Sequence, residues 1–230
     1  MSEIKRPDDR KFDKLRDIEI KLKVIKNARG SAMFRIGKTT AIAGVYGPKD
    51  LYPKHLQNPK KGKIRVYYDL MSFSVSERKR PGPSKRSSEL DMVIRDALDS
   101  VVMLDKFPKL VVDIFIEIPE ADAGTRCASI CAASLALADA GIPMKDLISA
   151  VSAGKLGKVI VLDINKEEED WKEGATDIPV AYSEALGKVL LLQLDGSISS
   201  EELTQAVKLG IKGCKEITEL QKKAIKEFYK

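Results

Sequence analysis

Apolar and polar side chains alternate from residue 18 to 24, with Ile18, Ile20, Leu22 and Val24 on one side, the period of a half-buried strand. Asn27-Ala28-Arg29-Gly30-Ser31 is turn chemistry. Strands over 32–36 and 39–46 follow around a turn at Gly37-Lys38, and Gly47-Pro48 is expected to end the second. A basic loop runs to about Lys61, then a strand covers 64–73. Leu90, Val93, Ile94, Ala97, Leu98, Val101, Val102 and Leu104 keep i, i+3, i+4 spacing, which predicts an amphipathic helix over 87–104. A strand over 110–118 leads to a small-residue helix over 124–140, closed by Gly141-Ile142-Pro143. Further strands are expected near 150–153, 158–162, 178–182 and 189–194, before a long amphipathic helix from 200 to about 228. Runs of strands broken by a few helices indicate an α+β fold, with β-sheets packed against helices in one compact domain. The charged residues 1–16 read as an N-terminal arm. Residues 17–230 form the domain, in two β-rich halves of about 17–141 and 142–230, with no convincing repeat between them.

The 230-residue chain, 43% hydrophobic, is long enough for a substantial core. Its apolar runs, such as 159–162 and 189–192, are too short to cross a bilayer. Met1-Ser2-Glu3-Ile4-Lys5-Arg6 has no apolar signal region. A cytoplasmic protein with no membrane partner is expected. The formal charge of +6 permits a polyanionic partner without establishing one. Placement says more: Lys60, Lys61, Lys63 and Arg65 form one basic cluster and Arg78, Lys79, Arg80, Lys85 and Arg86 a second. Acidic residues gather at Glu167-Glu168-Glu169-Asp170. With three cysteines, no CxxC pair and His55 as the single histidine, a zinc site and a Ser-His-Asp triad are both disfavoured. The chemistry falls to carboxylates, cations and backbone amides.

Three segments carry such groups. Glu120-Ala121-Asp122-Ala123-Gly124-Thr125-Arg126 lies between a strand and a helix, where unpaired amides and the helix dipole favour an anion. Gly124 allows close approach, Thr125 adds a hydroxyl and Arg126 a charged fork; an ordinary capped helix is the competing reading. Asp170 and Asp177 flank a loop before a predicted strand and can converge on a divalent cation, or simply belong to a solvated acidic loop. The run Arg78–Arg86, stiffened by Pro81 and Pro83, can line an RNA path or be a solvated basic loop. Tyr67 and Tyr68 precede it on a strand, and one of them should face the core by alternation.

Taken in order, Arg6-Pro7-Asp8-Asp9-Arg10, Ala43-Gly44-Val45-Tyr46-Gly47-Pro48, the segment 77–83, Ala121-Asp122-Ala123-Gly124-Thr125-Arg126, the segment 136–146 and Gln193-Leu194-Asp195-Gly196 resemble the RNase PH family. Within it, they are similar to the catalytic ring subunits of the archaeal exosome. The resemblance implies an RNase PH-like fold and a 3′→5′ phosphorolytic exoribonuclease that releases nucleoside diphosphates from single-stranded RNA, the reverse reaction adding tails. It implies inorganic phosphate as co-substrate, bound by Gly124, Thr125 and Arg126, and Mg²⁺ (or Mn²⁺) or a proton-transfer role at the catalytic pair Asp170 and Asp177. RNA contacts fall to Lys85, Arg86, Tyr68 and Lys54. The implied partners are RNA, an inactive RNase PH-type paralogue alternating in a hexameric ring, and RNA-binding cap subunits.

Some positions depart from the family pattern. Asp9 stands for a glycine, Lys85 for a common arginine and Tyr67 for a frequent arginine. Asp170 and Asp177 lie one residue further apart than is usual, and ungapped alignment from Leu162 puts Glu169 in the first acidic position instead. A non-catalytic RNA-binding ring subunit and a homohexameric RNase PH trimming tRNA 3′ ends are the alternative functions.

Overall fold

The computed structural model describes residues 6–171 and 174–230. Five strands, β1 (Ile18–Leu22), β2 (Gly30–Ile36), β3 (Thr39–Asp50), β4 (Lys63–Leu70) and β5 (Leu110–Glu120), form one sheet in the order β1-β2-β3-β5-β4. Only β4 and β5 run parallel, joined by the crossover that holds helix α1 (Lys85–Asp99). A second, antiparallel sheet has the order β7-β6-β8-β9, from β6 (Ser149–Leu156), β7 (Val159–Leu162), β8 (Ala175–Ser183) and β9 (Lys188–Leu192). Between the sheets lies helix α2 (Thr125–Asp139), touching β2 and β3 on one side and β6 and β8 on the other. A helix held on both sides must be apolar all round and slender. Its Cys127, Ala128, Ile130, Cys131, Ala132, Ala133, Leu135, Ala136 and Leu137 meet both conditions, and all are buried. Helix α4 (Ser200–Phe228) covers the outer face of the second sheet, and α3 (Lys166–Glu169) is a single turn after β7.

Several expected boundaries move. β3 continues through Gly47-Pro48 to Asp50: the ladder with β5 shifts register between Tyr46 and Lys49, so Pro48 sits where no ladder donor is required. β4 stops at Leu70 because Ser74 turns back, its amide and hydroxyl both donating to the Met71 carbonyl. α1 ends at Asp99 although the apolar period runs on. Val102 there bridges to Met144, and Leu104–Lys106 tighten into a 3-10 turn.

The described part of the N-terminal segment is not a free arm. Arg6 is 2% exposed, and its guanidinium donates to both Glu168 carboxylate oxygens at 2.6 and 2.8 Å and to the Leu162 and Asp163 carbonyls. Arg16, also buried, makes a two-point contact with Asp163. These two charges are paired inside the protein, as buried charges must be.

Candidate active site

A cleft of about 950 Å³ opens where the N-termini of α1 and α2, the turn α3, the start of β8 and the segment Gln193–Gly196 meet. α1, α3 and α4 each begin with a reciprocal side-chain cap, Ser84 with Ser87, Asn165 with Glu168 and Ser199 with Glu202. α2 begins instead at Gly124, in the left-handed region (φ +65°), with no side-chain cap. Its first-turn amides are therefore left for whatever occupies the cleft. Arg126 lines the same wall, and its buried Nε has no hydrogen-bond partner among the described residues, a donor that an anion would satisfy. Thr125 lies by the Tyr68 hydroxyl, whose acidity burial lowers while Thr125, Arg86 and Arg126 pull the other way. Thr125, Arg86 and Arg126 thus converge on one spot, with Lys85 beside them on the cleft wall.

The opposite wall is acidic. Asp177 lies on β8 opposite Gly154 of β6, where it accepts a hydrogen bond from the Ser152 hydroxyl. Burial pushes its carboxyl up, against that bond and the Arg126 charge, and Asp195 adds to the push. A Cβ on Gly154 would stand 2.0 Å from the Thr176 carbonyl oxygen, so only glycine lets β8 lie this close. Glu169, the last residue of α3, is pushed up by burial and next by the charge on Asp177, with Lys166 and Arg86 opposing.

Of the two residues the sequence leaves open for the first acidic position, Glu169 is the one whose carboxyl feels the Asp177 charge, while Asp177 itself is pushed up by burial and by Asp195. The Asn165–Glu168 cap sets the turn, and Glu168 is committed inward to Arg6. Lys166 reaches both remaining carboxylates, Glu169 at 3.4 Å with its side chain 30% exposed and Asp170 at 3.0 Å, at 67% and so at the rim.

Gly124, Thr125, Arg126, Lys85, Arg86, Asp177 and the rim residue Asp170 share the cleft; two expected RNA contacts do not. Tyr68 is 6% exposed and packs in the core, offering no open ring face to a base, so its place is behind Thr125. Tyr67, on the other face of β4, is exposed and stacked on Phe115. Lys54 sits in the 3-10 turn Lys54–Leu56, tied through Leu51 to Lys109 at the start of β5. The cleft is at the far end of that strand, roughly 30 Å away at a strand's rise per residue. Residues that the sequence reading missed also line the cleft: Glu89, Lys166, Gln193 and Asp195. The Gln193–Gly196 motif gave a signal for two of them, through its match to the family pattern.

The family model described as "3' exoribonuclease family, domain 1" matches residues 14–143, and "3' exoribonuclease family, domain 2" matches residues 146–213. The chain is 52% identical over 225 residues to exosome complex component Rrp41 of Pyrococcus furiosus, covering 98% of this chain and 89% of that one. It is 48% identical to the component of the same name from Nitrosopumilus maritimus, covering 98% and 91%. Among solved structures, rice (Oryza sativa) Rrp46 superposes with a TM-score of 0.82 at 26% identity, covering 94% of this chain and 98% of that one. The Archaeoglobus fulgidus exosome with RNA bound to the active site gives 0.80 at 24%, covering 94% and 92%, a likeness of fold.

Proposed function

The chain belongs to the 3′ exoribonuclease (RNase PH) family, and from that premise and the cleft we propose how it works. It is a catalytic exosome subunit, a phosphate-dependent 3′→5′ exoribonuclease. The observation that carries the mechanism is one cleft with an uncapped, arginine-flanked helix start on one wall and the Asp177 and Glu169 carboxylates on the other.

Phosphate sits on the α2 amides, Thr125 and Arg126, while Lys85 and Arg86 at the start of α1 hold the RNA backbone. A phosphate oxygen attacks the last phosphorus of the RNA and the bond from that phosphorus to the preceding O3′ breaks. A nucleoside diphosphate leaves. O3′ takes a proton, for which Asp177 is the donor suited by burial, since burial favours its protonated form. In the alternative to that proton transfer, Glu169 and Asp177 would be ionised and would hold Mg²⁺ (or Mn²⁺), which when bound supplies positive charge against the charge developing on oxygen. Both carboxylates line the same cleft, and Mg²⁺ keeps several waters and needs only one or two carboxylates.

The subunit works in a ring with other exosome subunits, alternating with an inactive RNase PH-type paralogue and carrying RNA-binding cap proteins. Its place is the cytoplasm, a reading that three buried, unpaired cysteines support. The test is shortening of a 5′-labelled single-stranded A-rich RNA by the chain co-expressed with its paralogue, in Mg²⁺, with and without phosphate. Shortening that requires phosphate and disappears in Asp177→Asn supports the reading; intact RNA bound to an assembled ring overturns it in favour of a non-catalytic subunit.

A further inference from the structure

Behind the cleft, the phosphate-binding turn is held by groups that never face the substrate. Ala123 and Gly124 both lie in the left-handed region, with φ of +59° and +65°. For Ala123 that conformation is unfavourable and persists only where the surroundings enforce it. The Thr39 hydroxyl accepts from the Asp122 amide and donates to the Ala123 carbonyl. From the other side, Arg16 donates through one terminal nitrogen to the Asp122 carbonyl at 2.6 Å and lies 3.5 Å from its carboxylate. Its Nε and other terminal nitrogen grip Asp163 at 2.9 and 2.8 Å. Asp163 follows β7 and leads directly into α3, which carries Glu169. The loop closes on itself, since the Lys166 amide donates to the Asp122 carboxylate at 3.1 Å. One planar guanidinium therefore spans the two walls of the cleft from behind: the turn that seats phosphate and the turn that presents a carboxylate. Arg16 and Asp122 line a separate groove and not the cleft itself.

We propose that Arg16, acting through Asp122 and Asp163, is a positioning residue that fixes the separation between the phosphate-seating turn and the Glu169 carboxylate. The inference rests on the phosphorolytic reading above. Lysine at this place keeps the charge and loses the fork. Removing the Asp122 side chain deletes its contact with Arg16 and its bond from the Lys166 amide, so it loosens the tie between the two turns, while the Arg16 bond to the Asp122 main-chain carbonyl and the buried Arg16–Asp163 pair stay intact.

The experiment compares wild type, Arg16→Lys and Asp122→Ala in assembled rings. It measures Tm, RNA affinity, and KM for phosphate separately from KM for RNA. The expected result is a phosphate KM raised on the order of tenfold or more in both variants, as for lost outer partners of a site, with RNA affinity within about twofold. A Tm decrease with phosphate KM unchanged in folded rings would make Arg16 merely structural and overturn the inference. If Arg16→Lys does not fold, Asp122→Ala decides alone. A wild type that shortens RNA without phosphate, or not at all, overturns the parent reading and the inference together, so the two failures are distinguishable.

Discussion

Burial disfavours the charged form of Asp177 even though Ser152 donates to it and Arg126 stands near. Because its folded-state pKa lies above the ordinary 3.8, the fold binds this proton more tightly than the unfolded chain does. That contribution to stability is complete below about pH 4 and is lost as pH rises through the folded value. In metal-free buffer, Asp177→Asn should therefore melt higher than wild type at pH 7, by a margin that closes as pH falls towards 4. Paired thermal melts across that range check it; a variant less stable at every pH would contradict it. Glu169→Gln should lower kcat on the order of a hundredfold or more, as loss of a catalytic carboxylate does. Asp170→Asn, removing only an exposed pair with Lys166, should stay within about twofold. Steady-state rates at saturating phosphate separate the two. Composition marked this acidic run but not its register. Asn165 and Glu168 have the capping-box spacing, and that signal, read in the sequence, would have pointed Glu168 inward and Glu169 to the cleft.

At the scale of elements, alternation over β1 and the i, i+3, i+4 rhythm of α1 and α4 were legible because each has one buried and one solvated face. Ends were less legible. β3 passes a Gly-Pro pair through a register shift, and α1 stops where tertiary pairing of Val102 outcompetes its helical period. The N-terminal segment reads as an arm since nothing local announces partners more than a hundred residues away, such as Glu168 for Arg6. The approach of β6 to β8 was equally hidden, and it sets Asp177. Gly154→Ala should force the two strands apart, destabilising the protein by about 1–3 kcal/mol and reducing activity more than the loss of folded protein explains. Denaturant titration together with rates per folded ring tests both parts.

The whole molecule places its site where the two sheets meet at one end of the helix between them. The phosphate-seating turn comes from the first sheet's side and Asp177 from the second. Buried ion pairs of the N-terminal segment join the same regions, so Arg6→Ala, which strands Glu168 without its partner, should lower unfolding free energy by about 3–5 kcal/mol, measured in urea. The direct measurement on the molecule as an enzyme is the fate of labelled phosphate. Rings incubated with unlabelled RNA and ³²P-orthophosphate should release nucleoside diphosphate carrying the label in its terminal phosphate, and Arg126→Met should abolish that transfer. Release of unlabelled nucleoside monophosphate, with water rather than phosphate as the attacking group, would contradict the phosphorolytic mechanism.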